Sequence, residues 1–128
     1  MPNLNAALGL AQLEGLEKKL TNKRELAAQY IKAFTKSEHV DIVKEPKNCK
    51  SNYWLNTIIL KEATNELQDY LIYKLHQERI FVRPVWEPLH SLAPYRDCPR
   101  TTMTNTETLA PRIINLPSSP QILKYQSL

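Results

Sequence analysis

The chain has 128 residues, 42% of them hydrophobic and 23% charged, which is the composition of a single soluble globular domain. It has no apolar run near the roughly 20 residues that a membrane helix needs, and its N-terminus lacks the basic and apolar regions of a signal peptide. Its net charge of +4 is spread along the chain, whereas a nucleic-acid-binding surface has a denser basic stripe, so nucleic-acid binding is disfavoured. We therefore expect a cytoplasmic protein without membrane contact and without a disulfide between Cys49 and Cys98.

Glycine and cysteine usage narrow the function further. The chain has two glycines, Gly9 and Gly15, and both fall in a segment with helical spacing. It therefore has no Gly-rich loop for a phosphate and no Gly-x-Ser-x-Gly nucleophile elbow. No Cys-x-x-Cys pair or His/Cys cluster predicts a metal site. These absences disfavour the common types of self-sufficient nucleotide-binding enzyme.

The first element is a long helix, with a possible kink, over residues 3 to about 35. Apolar residues recur at helical spacing, and Asn3 or Asn5 is expected to cap the start. The first part is rich in alanine and leucine on several faces, which is too apolar for a helix lying on one small sheet. We expect it to pack against a surface outside this sequence. The basic residues Lys18, Lys19, Lys23 and Arg24 alternate with glutamates and predict a solvated, ion-paired face.

Two strands, a helix and a third strand follow. Val40 to Val43 predicts a short strand, and Tyr53 to Leu60 predicts the strongest one, because it is β-branched and aromatic. Thr64 or Asn65 is expected to cap a helix that ends near Arg79, and a strand begins at Phe81. This order predicts an α+β fold: a small three-stranded antiparallel or mixed sheet, with helices packed on one face and a long N-terminal helix.

The C-terminal part carries seven of the nine prolines, from Pro84 to Pro120. Thr106 to Ile113 predicts a short helix limited by Pro111. The segment from Ile113 to Ser119 predicts a brief edge strand that runs into a turn. Ser118 or Ser119, followed by Pro120, is expected to start a last helical turn through Ile122 and Leu123.

The candidate functional stretch runs from Phe81 to Tyr95 and reads F-V-R-P-V-W-E-P-L-H-S-L-A-P-Y. Prolines stiffen the loop that carries Arg83, Trp86 and His90. Arginine suits phosphate or carboxylate, tryptophan can stack on a base or sugar, and histidine can bind or transfer a proton near neutral pH. Each also has a structural alternative: the tryptophan covers core, the arginine bonds nearby carbonyls, or the histidine caps the turn.

Five segments in chain order resemble the C-terminal domain of the DegT/StrS family of pyridoxal-phosphate aminotransferases, which act on nucleotide-linked keto sugars. The first segment reads M-P-N-L-N-A-A-L-G and is followed by Q-L, and the second reads K-R-E and is followed by Tyr30. The third reads S-N-Y-W-L-N. The fourth reads R-P-V-W-E-P-L-H and is followed by P-Y, and the fifth consists of R-I and L-P-S-S. The second and third begin at Lys23 and Ser51, and the last lies within Arg112 to Ser119. The S-N-Y-W and R-P-V-W segments most resemble enzymes that make 4-amino sugars for bacterial surface glycans.

The resemblance implies one domain over residues 1–128, the small C-terminal domain of such an enzyme. In the family, pyridoxal phosphate is bound through a lysine of a large N-terminal domain, and this chain lacks that lysine's sequence context. We therefore expect no catalytic residue here, no cofactor bound to this chain alone, and no activity alone. Glutamate is the usual amino donor of the full-length family, and a nucleotide sugar is the substrate.

The resemblance also implies roles for individual residues. Arg83, Trp86 and His90 are expected to line the substrate cleft, and Asn3 and Asn5 to lie near a homodimer interface. For Asn3 and Asn5 the structural alternative is helix capping, and Ser118 and Ser119 are expected to be turn and cap residues. The over-apolar first helix predicts a dimer or a helix-swapped form.

A second hypothesis belongs to another class of protein. The sequence pI of about 9.1 and the Arg/Trp/His loop also fit a small, basic, non-enzymatic module that binds nucleotide or nucleic acid.

Overall fold

The computed structural model describes residues 2–62 and 64–122, and it begins with two helices, α1 (Asn3–Glu14) and α2 (Leu16–Phe34). Gly15 separates them, because glycine is a poor helix former. The predicted capping by Asn3 or Asn5 is wrong. Pro2 holds the extended N-cap position and no side chain caps the helix, so both asparagines lie inside α1.

Helix α1 has no buried residue. Its leucines are largely exposed, with Leu4 at 79% and Leu8 at 61%. Helix α2 differs, since Leu26 and Ala27 are buried and Tyr30 and Phe34 pack against the core. The first part of the predicted long helix is therefore uncovered in this structure, and the second part packs against the core.

Among the described residues, four antiparallel strands form the sheet, in the order β1-β2-β4-β3. They are β1 (Val40–Ile42), β2 (Asn56–Leu60), β3 (Arg83–Pro84) and β4 (Ile113–Leu116). The predicted α+β class is confirmed, with four strands in place of three. The segment predicted as an edge strand, β4, is an inner strand between β2 and β3, and three of its four residues are buried.

Two predicted strands are shorter than expected. Tyr53 has a left-handed φ of 45°, which no strand residue adopts, so β2 begins only at Asn56. The strand predicted at Phe81 is reduced to Arg83–Pro84, and Pro84 lies in an edge strand, where its missing N–H is tolerated. Val82 is fully buried although it lies outside the strand.

The core lies between the sheet and helices α2 and α3 (Asn65–Gln77). Its buried residues are apolar and come from β2, β4 and the segment before β3: Ile58, Leu60, Val82, Ile114 and Leu116. On the opposite face of the sheet, the strand register aligns Thr57, Asn115 and Arg83 in one row. This row leads from the sheet into the candidate loop.

Capping and the C-terminal elements agree with most expectations. Thr64 caps α3 as predicted, since its Oγ1 accepts from the Leu67 N–H at 3.3 Å. The short helix predicted over Thr106 to Ile113 lies earlier, at α4 (Thr104–Leu109), and a 3₁₀ turn over Ala110–Arg112 follows it. Ile122 N–H donates to the Ser119 carbonyl at 3.2 Å, and the predicted continuation to Leu123 lies outside the described residues.

Within the described ranges, no helix combines the length and apolar character that a bilayer crossing requires.

Candidate functional site

The indole of Trp86, on the loop after β3, lines two open clefts. The first has a volume of about 480 Å³ and is called here the His90 cleft. Its polar lining comes from the loop, α3 and α4: Asn65, Gln68, Glu87, His90, Ser91 and Glu107. This cleft therefore joins the candidate loop to two helices that are distant in sequence.

His90 is a largely buried histidine of this cleft. It lies in a 3₁₀ turn over Leu89–Ser91, its side chain is 15% exposed, and its Nε2 is 3.3 Å from Oε1 of Glu107 on α4. Ser91 Oγ donates to the Pro88 carbonyl at 2.6 Å and to Glu87 Oε1 at 2.9 Å, which closes the turn. An imidazole held beside a carboxylate can orient a polar substrate group or exchange a proton with it.

Gln68 fixes the wall opposite the loop. It is buried on α3, and its Nε2 donates to the Ala110 carbonyl at 3.0 Å and to the Ile113 carbonyl at 2.8 Å. These two bonds tie α3 to the segment between α4 and β4. A buried amide whose bonds cross between elements is expensive to break, so this wall is well defined.

The second cleft, about 280 Å³, is called here the tryptophan cleft, and its lining includes Trp54, Leu55, Arg83, Trp86 and Asn115. It adjoins a cleft of about 390 Å³ that shares four of these residues. The Trp54 and Trp86 rings lie 6.2 Å apart at 34°, and the two residues are 65% and 69% exposed. Trp86 therefore does not cover core, and that structural alternative is wrong.

Arg83 stands at the edge of the sheet beside Asn115. Within residues 2–62 and 64–122 its guanidinium makes no ion pair or hydrogen bond, so the alternative of bonds to nearby carbonyls is not observed. Asn115 is buried, accepts from Thr57 Oγ1 at 2.8 Å and donates to the Pro84 carbonyl at 3.3 Å. Asn115 thus holds the short strand that presents Arg83.

A bidentate ion pair supports the loop before Trp54. Arg24 donates to both oxygens of Glu45, at 2.7 and 3.0 Å, and to the Ser51 carbonyl at 2.6 Å. Its guanidinium also lies 5.5 Å from the centre of the Tyr53 ring. The Arg24 hydrogen bond and the Ser51 N–H lower the pKa of Glu45 to about 2.

Lys23 completes this support. Its Nζ donates to the Trp54 carbonyl at 2.9 Å and to the Ser118 carbonyl at 2.7 Å, and burial lowers its pKa. The solvated face predicted for Lys23 and Arg24 is therefore wrong. Their spacing from Leu20 and Ala27, three or four residues on each side, places them on the apolar stripe and could have indicated this.

The structure separates the three predicted site residues. His90 lines the first cleft, Arg83 lines the second, and Trp86 lines both. Sequence reasoning missed Trp54 as a site residue, although it lies in the S-N-Y-W segment. Asn3 and Asn5 are exposed on α1, outside both clefts.

The turn at Ser118 behaves as predicted. Its Oγ accepts from the Asn56 N–H at 2.8 Å and donates to the Leu116 carbonyl at 2.8 Å, so its hydroxyl closes the end of β4. Cys49 and Cys98 are free, exposed thiols. Among the described residues, no group of three His, Cys, Asp or Glu side chains could hold a metal ion.

The lysines do not fit an anchoring site for pyridoxal phosphate. Of the lysines that the structure describes, none lines the His90 cleft or the tryptophan cleft. Lys23 lines the adjoining cleft, but two backbone carbonyls already occupy its amine. The described lining of these clefts therefore does not fit a covalent site for this cofactor.

Several known proteins are similar to this chain in sequence or in structure. The GDP-perosamine synthase of Escherichia coli O157:H7 is 36% identical over 128 residues, covering 98% of this chain and 33% of the relative. Among solved structures, Helicobacter pylori PseC, an aminotransferase involved in the biosynthesis of pseudoaminic acid, has a TM-score of 0.80 at 20% identity, over 89% of this chain and 31% of that one. DesI, solved in the presence of its TDP-sugar product, has a TM-score of 0.76 at 27% identity, over 88% of this chain and 29% of that one.

The chain spans about one third of the length of these relatives. The PseC match, at its low identity, shows the fold alone. The model of the DegT/DnrJ/EryC1/StrS aminotransferase family matches residues 1–126, nearly the whole sequence. The chain therefore belongs to the DegT/DnrJ/EryC1/StrS aminotransferase family.

Proposed function

We propose that this chain is the C-terminal small domain of a pyridoxal-phosphate-dependent aminotransferase that acts on a nucleotide-linked keto sugar. Family membership over residues 1–126 and the names of the relatives, which include a GDP-perosamine synthase and a protein solved with a TDP-sugar, support it. The observation that carries it is the pair of clefts around Trp86, one with a histidine and one with an arginine.

In such an enzyme the cofactor carries the amine from glutamate to the sugar, and the protein supplies binding and orientation. The described lysines near the clefts do not fit an anchor for the cofactor, which supports a role of this domain in binding the substrate. His90 and Glu107, whose side chains lie 3.3 Å apart, orient polar groups of the sugar, and Trp86 provides an apolar wall. The proposal places this work in the cytoplasm.

A chimaera tests the proposal. This chain would replace the matching third of the Escherichia coli O157:H7 GDP-perosamine synthase, and formation of GDP-perosamine from glutamate would be measured. We expect measurable turnover, and His90→Ala should reduce kcat/KM by about tenfold, the range for loss of one hydrogen bond that positions the substrate. His39→Ala, an exposed histidine outside both clefts, is the matched control.

The result that would contradict the proposal is a well-folded chimaera that binds pyridoxal phosphate and shows no turnover. Equal losses for His90→Ala and His39→Ala would remove the assigned role of His90 while leaving the family function in place.

The proposed inactivity of the chain alone has a separate test. The purified chain is incubated with pyridoxal phosphate, reduced with borohydride and weighed by intact mass spectrometry. We expect only weak, scattered labelling, because Lys23, the described lysine of these clefts, already donates to two backbone carbonyls. One stoichiometric adduct at a single lysine would overturn this part of the proposal.

The proposal includes a homodimer whose interface lies along α1, near Asn3 and Asn5. The exposed leucines of this helix support it, since contiguous apolar surface drives association. Light scattering should show a dimer that Leu8→Glu converts to monomer, whereas Glu14→Lys, a charge change on the same helix, should not. A monomer at high concentration with an ordered α1 would contradict it.

A further inference from the structure

We propose that the tryptophan cleft binds the nucleoside diphosphate part of the sugar substrate, with the base on the Trp54–Trp86 pair and the phosphates at Arg83 and Lys23. This inference rests on the proposed function and deepens it, because it assigns the two ends of one substrate to two different clefts.

The geometry of the two indoles decides where a base can lie. Their centroids are 6.2 Å apart, within the 4.5–7 Å range of aromatic pairs in contact. A base inserted between two rings needs about 7 Å, twice the roughly 3.5 Å contact distance of carbon atoms. With a tilt of 34° there is no room for it, so the base stacks on the outer surface of the pair.

Charge decides where the phosphates lie. Within the part of the chain that the structure describes, the lining of the tryptophan cleft and of the cleft that adjoins it includes Arg83 and Lys23 and no carboxylate. The His90 cleft, by contrast, includes Glu87 and Glu107. A diphosphate is therefore favoured on the tryptophan side of Trp86 and disfavoured on the histidine side.

Arg83 is free to take this role. Among the described residues its guanidinium has no carboxylate or carbonyl partner, and its planar fork of donors matches a phosphate. Lys23 uses two of its three N–H donors for the Trp54 and Ser118 carbonyls, which leaves one for a ligand. The lysine thus couples the position of the aromatic surface to the position of a cation.

The site is held in place before a ligand arrives. Lys23 fixes the backbone at Trp54, and the Arg24–Glu45 pair fixes the loop that leads to it. Asn115 fixes the strand of Arg83 through the Pro84 carbonyl. The clefts of about 280 and 390 Å³ are close to the range of about 300–1,000 Å³ in which small ligands bind. Such preorganisation lowers the entropic cost of binding.

The chain itself provides a selective readout. It contains two tryptophans, and both belong to this pair, so tryptophan fluorescence reports on the site without background. GDP is titrated into the 128-residue chain, with guanosine and inorganic pyrophosphate as partial ligands, and affinities are measured in parallel by calorimetry. We expect GDP to quench the fluorescence and to bind more tightly than either part.

Two substitutions separate the contributions. Arg83→Ala should weaken GDP binding about tenfold. Arg83→Lys should weaken GDP binding less, because lysine keeps a point charge. Trp54→Ala should weaken GDP and guanosine but leave pyrophosphate unchanged. Arg100→Ala, an exposed arginine outside this cleft, is the matched control and should bind GDP as the unaltered chain does. Circular dichroism checks that each variant is folded.

The outcomes are distinguishable from those of the chimaera. Absence of GDP binding, or equal affinity for the unaltered chain and Arg83→Ala, overturns the nucleotide site even if the chimaera makes GDP-perosamine. Arg83-dependent GDP binding by the chain supports the site even if the chimaera is inactive, which would refute the proposed function alone. If Arg83→Ala and Trp54→Ala leave the KM of an active chimaera unchanged, a segment of the longer polypeptide covers this surface and the proposal fails.

Discussion

The two clefts on either side of Trp86 are opposite in chemistry and in construction. The His90 cleft contains a histidine and two carboxylates, whereas the tryptophan cleft and its neighbour contain two indoles and two cations. A single exposed side chain separates them. A substrate with an anionic end and an uncharged polar end can therefore be oriented by charge alone, before any specific contact with the sugar forms.

The clefts also differ in how they are held. His90 and Ser91 are fixed within one short 3₁₀ turn, and the turn then contacts α4. Trp54 depends on Lys23, 31 residues away, and Lys23 also holds Ser118, 95 residues away. The tryptophan cleft is therefore the one that perturbation of α2 should open first.

The largest effect should come from the core beneath both clefts. Ile114 is 1% exposed and pairs with Ile58 and Pro84 in the sheet. Ile114→Ala should lower the free energy of unfolding by about 2–5 kcal/mol, measured by urea denaturation, and should disturb both clefts together. Ile59→Ala, on the opposite and less buried face of the sheet, should lower the free energy of unfolding by a smaller amount. Equal costs at the two positions would contradict the assigned core.

A substitution with a smaller effect should disturb the tryptophan cleft and leave the His90 cleft unchanged. Asn115→Ala removes the bond to the Pro84 carbonyl and should lower the free energy of unfolding by about 1–3 kcal/mol. Hydrogen exchange should increase in β3 and not at Gln68. Thr57→Val, which removes only the donor to Asn115 Oδ1, should have part of this effect. Unchanged exchange in β3 would show that Asn115 does not position Arg83.

A third test uses pH. The pKa of Glu45 is about 2 in the folded chain against an ordinary 4.5, so the folded state binds fewer protons than the unfolded state between these values. Its stabilisation is present above pH 4.5 and is lost as pH falls towards 2. The urea midpoint should therefore fall through this window less steeply in Glu45→Gln than in the unaltered chain.

The same experiment tests the construction of the clefts. In a Trp86→Phe background the remaining fluorescence reports on Trp54, and it should shift in acid before helix content is lost. Glu25→Gln, an exposed glutamate of α2, should keep the pH slope of the unaltered chain. Identical slopes for Glu45→Gln and Glu25→Gln would show that the Arg24–Glu45 pair does not hold the loop.

The smallest effect should come from the other side of Trp86. The Glu107 side chain is 63% exposed, and an exposed pair contributes little, so Glu107→Gln should change the free energy of unfolding by less than about 0.5 kcal/mol. GDP affinity, measured by calorimetry, should stay within about twofold, because this carboxylate lines the His90 cleft only. A larger change in GDP affinity would mean that the two clefts do not act independently.

Local sequence patterns determined much of this protein. Helical spacing, the Thr64 cap, the short strands and the proline-rich loop with Arg83, Trp86 and His90 could all be predicted, because each depends on neighbouring residues. The five ordered segments likewise indicated the family that the comparison confirms.

The tertiary structure alone decided the order of the sheet and the division of the site. Three features depend on contacts between residues far apart in the sequence. They are the position of β4 between β2 and β3, the hydrogen bonds of Lys23 and Arg24 to backbone carbonyls, and the contact between Trp54 and Trp86. Periodicity shows which residues share a face of one element. It does not show which element that face will meet, because that choice is made by packing among all of them.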